Sequence, residues 1–470
     1  LQSRLSPASS AIPDSKGGEF MLAAPSGFFA AVAPKLVLTS SADAQAIVEI
    51  AGLGWVHAVD ISSNAATVVE LPSAALLDRL QTEAIESKGI HVVANREVSA
   101  YLLLDGFASG DATISFPVDA LGPEYLVESY PASCALGCQP SQLSIVAIED
   151  NTTVTITPSL DVGDSTDRRL AGEPFDVVLD AGQTYKLQGG GFTAGPGFTP
   201  IGLSGTEIVA NASVAVYGGN PETFVPEVGA ADVLLQQLPP LSTWGTQYVS
   251  IPLSGRTGGD TFRILASKDQ TLVSINNEVI ATLDRGEHYE VILSEPSVFT
   301  ANAPILVTRF GHGGEFDSPG APQDPSVTTG DPLMMSLVPT EQFDFEFVAE
   351  STSNGINDHY LSIVTRDNGD ATVTIDGVPL DASGFVPIGD GTFRGMSLQV
   401  SPGTHVISST APMSVEVYGF GNYDSYGYSA GSRMSPVGHV AAISLSPPVA
   451  TRLPGSIHTA VASVRDADGG

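Results

Sequence analysis

Apolar and polar residues alternate with a period of two along most of this chain, and the alternating runs come in pairs separated by short polar segments. Such a pair around an Asp, Asn or Gly turn is typical of a β-hairpin, because successive side chains of a strand point to opposite faces. The pairs occur four times, at residues 36–39 with 46–50, 143–147 with 153–156, 262–266 with 272–275, and 361–365 with 371–375. The pattern therefore predicts an internal repeat built from antiparallel hairpins.

Two further features follow the hairpins. The first is a small polar segment, which predicts a turn between two strands, at residues 94–98, 210–214, 301–305 and 409–413. The strand after this segment ends near an aromatic residue in every copy: Tyr101, Tyr217, Phe310 and Tyr418. The second feature is a stretch that runs from an Asp to a proline in three copies, starting at Asp111, Asp232 and Asp331. In the fourth copy residues 424–428 replace it, which is typical of a degenerate terminal repeat.

These patterns predict an all-β fold of four degenerate antiparallel repeats, each of about 100 residues and similar in size and strand number to a β-sandwich. They do not distinguish separate beads from a ring or propeller-like array. Only residues 73–86 have the pattern of a helix. The predicted division is an N-terminal arm at 1–17, repeats at 18–135, 136–255, 256–352 and 353–440, and a linker with the first strand of an immunoglobulin-like domain at 441–470.

Charge narrows the choice of partners. The chain has 52 Asp and Glu residues against 19 Lys and Arg residues, a formal net charge of −33. Such a surface repels nucleic acid and anionic lipid, so neither is expected as a partner. No run of about 20 apolar residues occurs, so no membrane-spanning segment is predicted in this chain. The acidity is typical of a secreted protein kept soluble by its charge, and cation-binding sites are the alternative explanation.

The two cysteines, Cys134 and Cys138, are close together in the sequence. A metal site requires about four ligands, and no histidine lies nearby in the sequence. The Cys-x-x-Cys spacing of a redox pair beside a βαβ pattern is also absent. The spacing therefore predicts a small-loop disulfide, which indicates an oxidising compartment.

The recurring aspartates are the candidate metal ligands. Asp111, Asp232 and Asp331 occupy one repeat position. An Asp in that position is explained either by a bond to the backbone of its own turn or by calcium held between repeats. Calcium is accordingly the one cofactor that the sequence suggests.

A family resemblance rests on several segments, which are residues 16–20, 54–55, 88–92, 120–125, 147–154, 216–219, 237–245, 259–263 and 417–420. Through them most of the chain resembles the N-terminal domain of the IgG Fc-binding protein family. The resemblance implies a non-enzymatic extracellular module linked to binding and surface layers. Residues 458–470 resemble the opening strand of a bacterial immunoglobulin-like repeat of the invasin type, which implies a bacterial source.

We therefore expect an extracellular or cell-surface protein that binds a protein partner or assembles with itself, in adhesion or in a filament, appendage or matrix. The metalloprotease, phosphate-loop and dinucleotide motifs do not occur, so no enzymatic activity is expected. Assembly would use exposed strand edges, with residues 1–15 as a donated arm. The alternative is a lectin-like or carbohydrate-active protein with a glycan partner, for which residues 423–428 are the nearest aromatic candidate.

Overall fold

The computed structural model describes residues 5–8, 13–28, 33–106, 109–131, 139–163, 168–189, 202–226, 230–317, 330–351, 355–366, 371–437, 440–446 and 461–466. They belong to two compact units, Leu1–Ser435 and Pro436–Gly470. Regular structure in these ranges consists of strands and of single-turn 3-10 helices, so the all-β prediction is confirmed. None of the described helices is long and apolar enough to span a bilayer.

The strands of the first unit form four antiparallel sheets. The first sheet contains β1 (Lys16–Leu22), β2 (Ala33–Thr39), β3 (Ala44–Ile50), β4 (Trp55–Ile61), β5 (Ala66–Glu70), β7 (Ile90–Gly106) and β8 (Ser109–Ser115). The second contains β6 (Ala84–Glu86), β9 (Gly122–Leu126), β10 (Gln142–Ala147), β11 (Thr152–Thr157), β12 (Phe175–Leu179), β13 (Thr184–Gln188), β14 (Glu207–Phe224) and β15 (Ala231–Gln237).

The third sheet contains β16 (Gly245–Ser250), β17 (Asp260–Ala266), β18 (Thr271–Ile275), β19 (Glu278–Leu283), β20 (His288–Leu293), β21 (Ser297–Gly311) and β22 (Leu333–Ser336). The fourth contains β23 (Asp344–Ser351), β24 (Ile356–Arg366), β25 (Val373–Ile375), β26 (Val378–Pro379), β27 (Val386–Ile388), β28 (Phe393–Val400), β29 (Gly403–Gly421) and β30 (Asp424–Ser429). In the second unit β31 (Val440–Ser446) pairs with β32 (Val461–Asp466). The 3-10 helices are Ala51–Leu53, Ser73–Ala75, Val118–Ala120, Leu241–Thr243, Gly314–Phe316, Thr340–Gln342 and Ala382–Gly384.

The four sheets share one topology. Each has a long central strand, namely β7, β14, β21 and β29. The first half of the long strand pairs with two strands. One precedes the hairpin in the chain and is called the entering strand, such as β1, and the other is the second strand of the predicted hairpin, such as β3. The second half pairs with the first hairpin strand, such as β2, and with the strand that follows the long strand in the chain, such as β8, which is called the return strand. The strands at 36, 143, 262 and 361 therefore occupy equivalent places.

The polar segments at 94–98, 210–214, 301–305 and 409–413 are not turns, contrary to the prediction. In each copy the strand continues and bulges: Gly17 pairs with Val98, yet Glu19, two residues on, pairs with Val93. The same register shift occurs on β14, β21 and β29. The side-chain oxygen of Asn95 accepts a hydrogen bond from the backbone N–H of Gln45 at 2.8 Å. Asn211, Asn302 and Thr410 make the equivalent bond.

The polar residues thus hold the bulge to the neighbouring strand, and the bulge lets one long strand change partners.

The return strands β8, β15, β22 and β30 surround a common axis. Strand β8 packs beside β15 and β30, and β22 packs beside the same two strands. The sheets therefore form a closed ring rather than separate beads.

Contacts between the two ends of the first unit close the ring. Asp14 forms a β-bridge with Arg433, and the backbone N–H of Ser15 donates to the carbonyl of Ser432 at 2.8 Å. The Tyr101 hydroxyl on β7 donates to the carbonyl of Ala430 at 2.9 Å. One hydrophobic core is shared by the first and fourth sheets. Residues 13–15 of the predicted arm are therefore already paired within their own chain.

Two expectations about segments differ from the structure. Residues 73–86 form only the 3-10 turn Ser73–Ala75 and then β6, because β6 pairs with β13 at the edge of the second sheet. Strand β9, whose residues fall in the first predicted repeat, pairs with β14 of the second sheet. Strands β16 and β23 likewise pair in the sheet after their own predicted repeat. The second, third and fourth sheets thus take their entering strands from the preceding predicted repeat.

Candidate functional site

The predicted aspartates lie at the axis of the ring. Asp111 on β8 is buried, and its Oδ2 accepts hydrogen bonds from the backbone N–H of Leu235 at 2.9 Å and of Met334 at 3.2 Å. Its Oδ1 accepts from the N–H of Ala112 at 2.8 Å. Burial raises the pKa of Asp111 well above its usual value, although the backbone donors, Gly427 among them, act against that rise. Asp111 therefore connects the first return strand to the others.

A second group of carboxyls lies next to it. Asp232 Oδ1 accepts from the Ser109 hydroxyl at 2.7 Å and the Gly110 N–H at 2.9 Å. Burial, with repulsion from Asp331 and Asp424, raises the pKa of Asp232. Burial raises the pKa of Asp331 as well, and the neighbouring Asp424 and Glu222 add to the shift.

The two remaining members of this group, Asp424 and Glu222, also have raised pKa values. Burial is the main cause in both: it raises the pKa of Asp424 to about 7 and that of Glu222 to about 8. Four buried oxygens, Asp232 Oδ2, Asp331 Oδ1 and both Glu222 carboxyl oxygens, accept no hydrogen bond from the described residues. Raised pKa values favour the neutral acids, which limits the repulsion between these groups.

These positions bear on the expected calcium site. The structure brings Asp232 and Asp331 together and leaves Asp111 bonded to backbone N–H groups. Within the described ranges, no three His, Cys, Asp or Glu side chains are grouped so that they could hold a metal ion. Calcium at Asp111, Asp232 and Asp331 stays a prediction. Cys134 and Cys138 lie outside the described residues, so their disulfide stays a prediction too.

The aromatic candidate for a glycan site is largely buried. The side chains of Tyr426 and Tyr428 are each 2% exposed. The Tyr426 hydroxyl is 2.9 Å from Nδ1 of His359, and the Tyr428 hydroxyl donates to the carbonyl of Glu350. Sugar recognition by stacking requires an accessible aromatic face, which these two rings do not offer.

Buried ion pairs join neighbouring sheets. Arg309 on β21 lies between the third and fourth sheets, where its guanidinium is 2.9 Å from Glu416 and donates to the carbonyl of Ile251 at 2.7 Å. Arg263 on β17 is 3.6 Å from Glu128, in the segment that follows β9 of the second sheet. Both arginines are almost completely buried, so these contacts fix the relative placement of the sheets.

A cleft of about 450 Å³ opens between the first and second sheets. The first sheet contributes Glu19 from β1, Glu49 from β3 and His91 from β7. The second contributes Ile148 and the turn 180–183 between β12 and β13. This volume is in the range of ligand pockets, about 300–1,000 Å³.

The charge in the cleft is acidic. His91 Nε2 is 2.8 Å from Glu19 Oε1. Glu49 lies opposite His91 in the β3–β7 register, and no described residue forms an ion pair with it. Asp180 at the rim is exposed. None of the lining residues is Lys or Arg.

Sequence reasoning missed several of these residues. The sequence pattern places Asp424 in a degenerate repeat, yet Asp424 lies three residues before Gly427, which pairs with Tyr418. Asp111 is likewise three residues before Ile114, the partner of Tyr101. Asp424 can therefore be found by counting back three residues from the strand partner of Tyr418, as Asp111 can from the partner of Tyr101. Nothing in the local sequence indicates that Glu222 or Glu49 faces a site, because their neighbours come from distant segments.

Comparisons with known proteins relate this chain to one family. The sequence profile of the family described as "IgGFc binding protein" matches residues 111–419. The human protein named "IgGFc-binding protein" is 25% identical over 288 residues, which is 60% of this chain. The chain spans only 5% of the length of that protein.

A solved structure was also matched, the α-L-rhamnosidase of Streptomyces avermitilis complexed with L-rhamnose. The match covers 96% of this chain and 59% of that one at 10% identity, with a TM-score of 0.11. So low a score carries no inference about fold or activity.

Proposed function

The chain belongs to the IgGFc-binding protein family, and from that premise we propose that its four-sheet ring is an extracellular module that binds protein partners without catalysing a reaction. Adhesion, or a structural role in a surface assembly, is the setting that this proposal implies. The observation that supports it most directly is the preformed cleft between the first and second sheets.

Rigidity supports a binding role. A shared core and buried ion pairs fix the sheets of the ring relative to one another. The module itself then loses less conformational entropy when a partner binds than a mobile surface would lose. The backbone N–H of Gly89 donates to the carbonyl of Gly182 at 2.9 Å, so the cleft walls are joined directly.

Biolayer interferometry on the full chain tests the proposal. The Fc fragment of IgG is the first ligand to immobilise, since it is the partner in the name of the human relative. A panel of extracellular matrix and mucin proteins follows, with a glycan array in parallel. Saturable binding to at least one protein is expected. Binding to glycans alone would favour the lectin-like alternative, and binding to neither would contradict the proposed function.

Self-assembly is a second candidate, favoured by a recurring surface feature. The outermost strand on one side of each sheet carries an exposed valine: Val56, Val178, Val279 and Val378, which are 45 to 65% exposed. Exposed apolar edge strands pair readily with other chains. A net charge of −33 opposes association at low salt, so added salt should promote it.

Light scattering measures this directly. The molar mass of the wild type should increase with salt concentration. The molar mass of the double variant Val279→Lys/Val378→Lys should stay that of a monomer. Leu80→Lys, at an exposed position outside the strands, is the matched control. A monomer under all salt conditions would argue against assembly and leave binding to an outside partner.

Three finer expectations belong to this proposal. They are the bacterial source, an immunoglobulin-like domain whose first strand lies in residues 458–470, and the disulfide between Cys134 and Cys138. Mass spectrometry of the unreduced protein tests the disulfide: a mass lower than that of the dithiol by two hydrogen atoms is expected, and full alkylation without reductant would contradict it.

A further inference from the structure

The cleft between the first and second sheets combines an apolar floor with an acidic rim. Met21 is buried at its base, and the half-buried Val118 and Ile148 lie beside it. Glu49, which is half-buried, and Asp180, which is exposed, also line the cleft. A ligand that fits both parts needs an aliphatic segment and a positive end, which is the composition of an arginine or lysine side chain.

The walls of the cleft are formed by backbone at positions where a side chain does not fit. A Cβ on Gly52 would lie 1.9 Å from the carbonyl oxygen of Ser87, and a Cβ on Gly89 would lie 2.6 Å from that of Gly182. Gly182 has a φ of +73° and its N–H donates to the carbonyl of Ala147 at 3.0 Å. The space therefore exists before any ligand binds, since these contacts prevent the two walls from moving together.

The charges in the cleft favour a cation. Glu19 has His91 as a neighbour, whereas Glu49 forms no ion pair with any described residue. Among the described residues, the carboxylate of Asp180 accepts one hydrogen bond, from the backbone N–H of Asn151 at 3.1 Å, and this side chain stays exposed. An entering guanidinium would meet two carboxylates, with no lysine or arginine in the lining to repel it.

From these observations we propose that the cleft is the site at which this module captures an exposed arginine or lysine side chain of a protein partner. The proposal rests on the protein-binding function proposed above and names the chemistry of the partner. The guanidinium would bind Glu49 and Asp180, and the aliphatic stem would lie along Met21 and Ile148. The same arrangement disfavours partners whose exposed side chains are acidic.

Nuclear magnetic resonance on the full chain, labelled with ¹⁵N, tests the site itself. The probe is the peptide Ac-Gly-Arg-Gly-NH₂, with Ac-Gly-Gln-Gly-NH₂ as its neutral match. The arginine peptide should shift the amide signals of Gly52, Gly89 and Ala181, and the glutamine peptide should not. Glu49→Gln should weaken binding by about tenfold, the effect of losing one charge-assisted contact.

The control is Glu278→Gln on the exposed strand β19, which removes the same charge away from the cleft. Asp180→Asn is a second cleft variant, and the spectrum of each variant shows whether it folds. Shifts spread over the acidic surface, or equal weakening by Glu278→Gln and Glu49→Gln, would overturn the assignment. If a protein partner binds wild type and both cleft variants equally, the assignment fails while the proposed function stands.

Discussion

The Oδ2 atom of Asp111 accepts a hydrogen bond from the backbone N–H of Leu235 at 2.9 Å, which joins the return strands of the first and second sheets. The same oxygen accepts from Met334 of the third sheet. One side chain thus satisfies buried backbone donors on two neighbouring strands, where water is not available to replace it.

Replacing Asp111 should therefore destabilise the whole ring. Asp111→Ala removes the acceptor of three buried backbone N–H groups, those of Leu235, Met334 and Ala112. It should lower the free energy of unfolding by about 2–5 kcal/mol. Asp111→Asn should cost less, because its amide oxygen can still accept from Leu235 and Met334. Guanidinium unfolding followed by tryptophan fluorescence measures both, and Asp119→Ala at an exposed position is the control. Equal stability of the three variants would contradict the role of Asp111.

The stability of the ring should depend on pH through Glu222. Its pKa is raised from the ordinary 4.5 to about 8 by burial. Between these values the unfolded chain loses the proton while the folded chain keeps it. The free energy of unfolding therefore falls as pH rises, by up to about 1.4 kcal/mol per pH unit from this group.

Glu222→Gln removes the ionisable group and should flatten this dependence between pH 4.5 and 8. Urea unfolding at several pH values measures the slope. Asp232, Asp331 and Asp424 keep contributing in the same direction, so a residual slope is expected. Glu278→Gln should keep the wild-type slope, and an identical slope in the Glu222 variant would refute the assignment.

Breaking the buried ion pair between Arg309 and Glu416 by removing one partner should strongly destabilise the protein. Arg309→Met leaves Glu416 buried without its cation and also removes the guanidinium that lies 3.7 Å from the buried Asp260. This should cost about 3–5 kcal/mol. The double variant Arg309→Met/Glu416→Gln should recover part of that loss, because one uncompensated carboxyl is removed. A double-mutant cycle from urea unfolding measures the coupling. Arg168→Met, in the exposed pair with Asp161, should change stability by about 1 kcal/mol or less.

The pairing of residues 13–15 with 432–434 predicts that the N-terminal segment stabilises its own ring. Deleting residues 1–15 removes the hydrogen bonds of Pro13 and Ser15 and should cost about 2–4 kcal/mol, at about 1 kcal/mol for each bond. Amide exchange at Met434 should accelerate in the deletion, since its N–H donates to Pro13 at 3.0 Å. A deletion of residues 1–4 keeps these bonds and is the control. Unchanged exchange would show that the pairing adds little.

The sequence by itself determined the local elements of this protein. The alternation at 143–147 and 153–156 predicted β10 and β11, and the corresponding runs predicted the other hairpins. This succeeded because alternation depends only on neighbouring residues, and a strand with one buried face requires it. The all-β class and the four repeats followed from the same information.

The tertiary structure alone decided how those elements connect. Asn95 belongs to a type of segment that favours turns, but its side chain bonds to Gln45, fifty residues earlier in the chain, and the strand continues through it. Residues 84–86 became a strand because β13 offered an edge to pair with. Local preference cannot anticipate such partners, since their contribution exceeds the small differences in intrinsic propensity.

Contacts between distant segments also decided the two candidate sites, the cleft and the group of buried carboxyls at the ring axis. Glu19, Glu49 and His91 come from three separate strands, and the cleft they line exists only when the second sheet packs against the first. Asp424 meets Asp232 and Asp331 only because four return strands surround one axis. The sequence determined which residues carry charge. Closure of the ring decided which of those charges are buried together and which face a partner, because both depend on contacts between residues far apart in the chain.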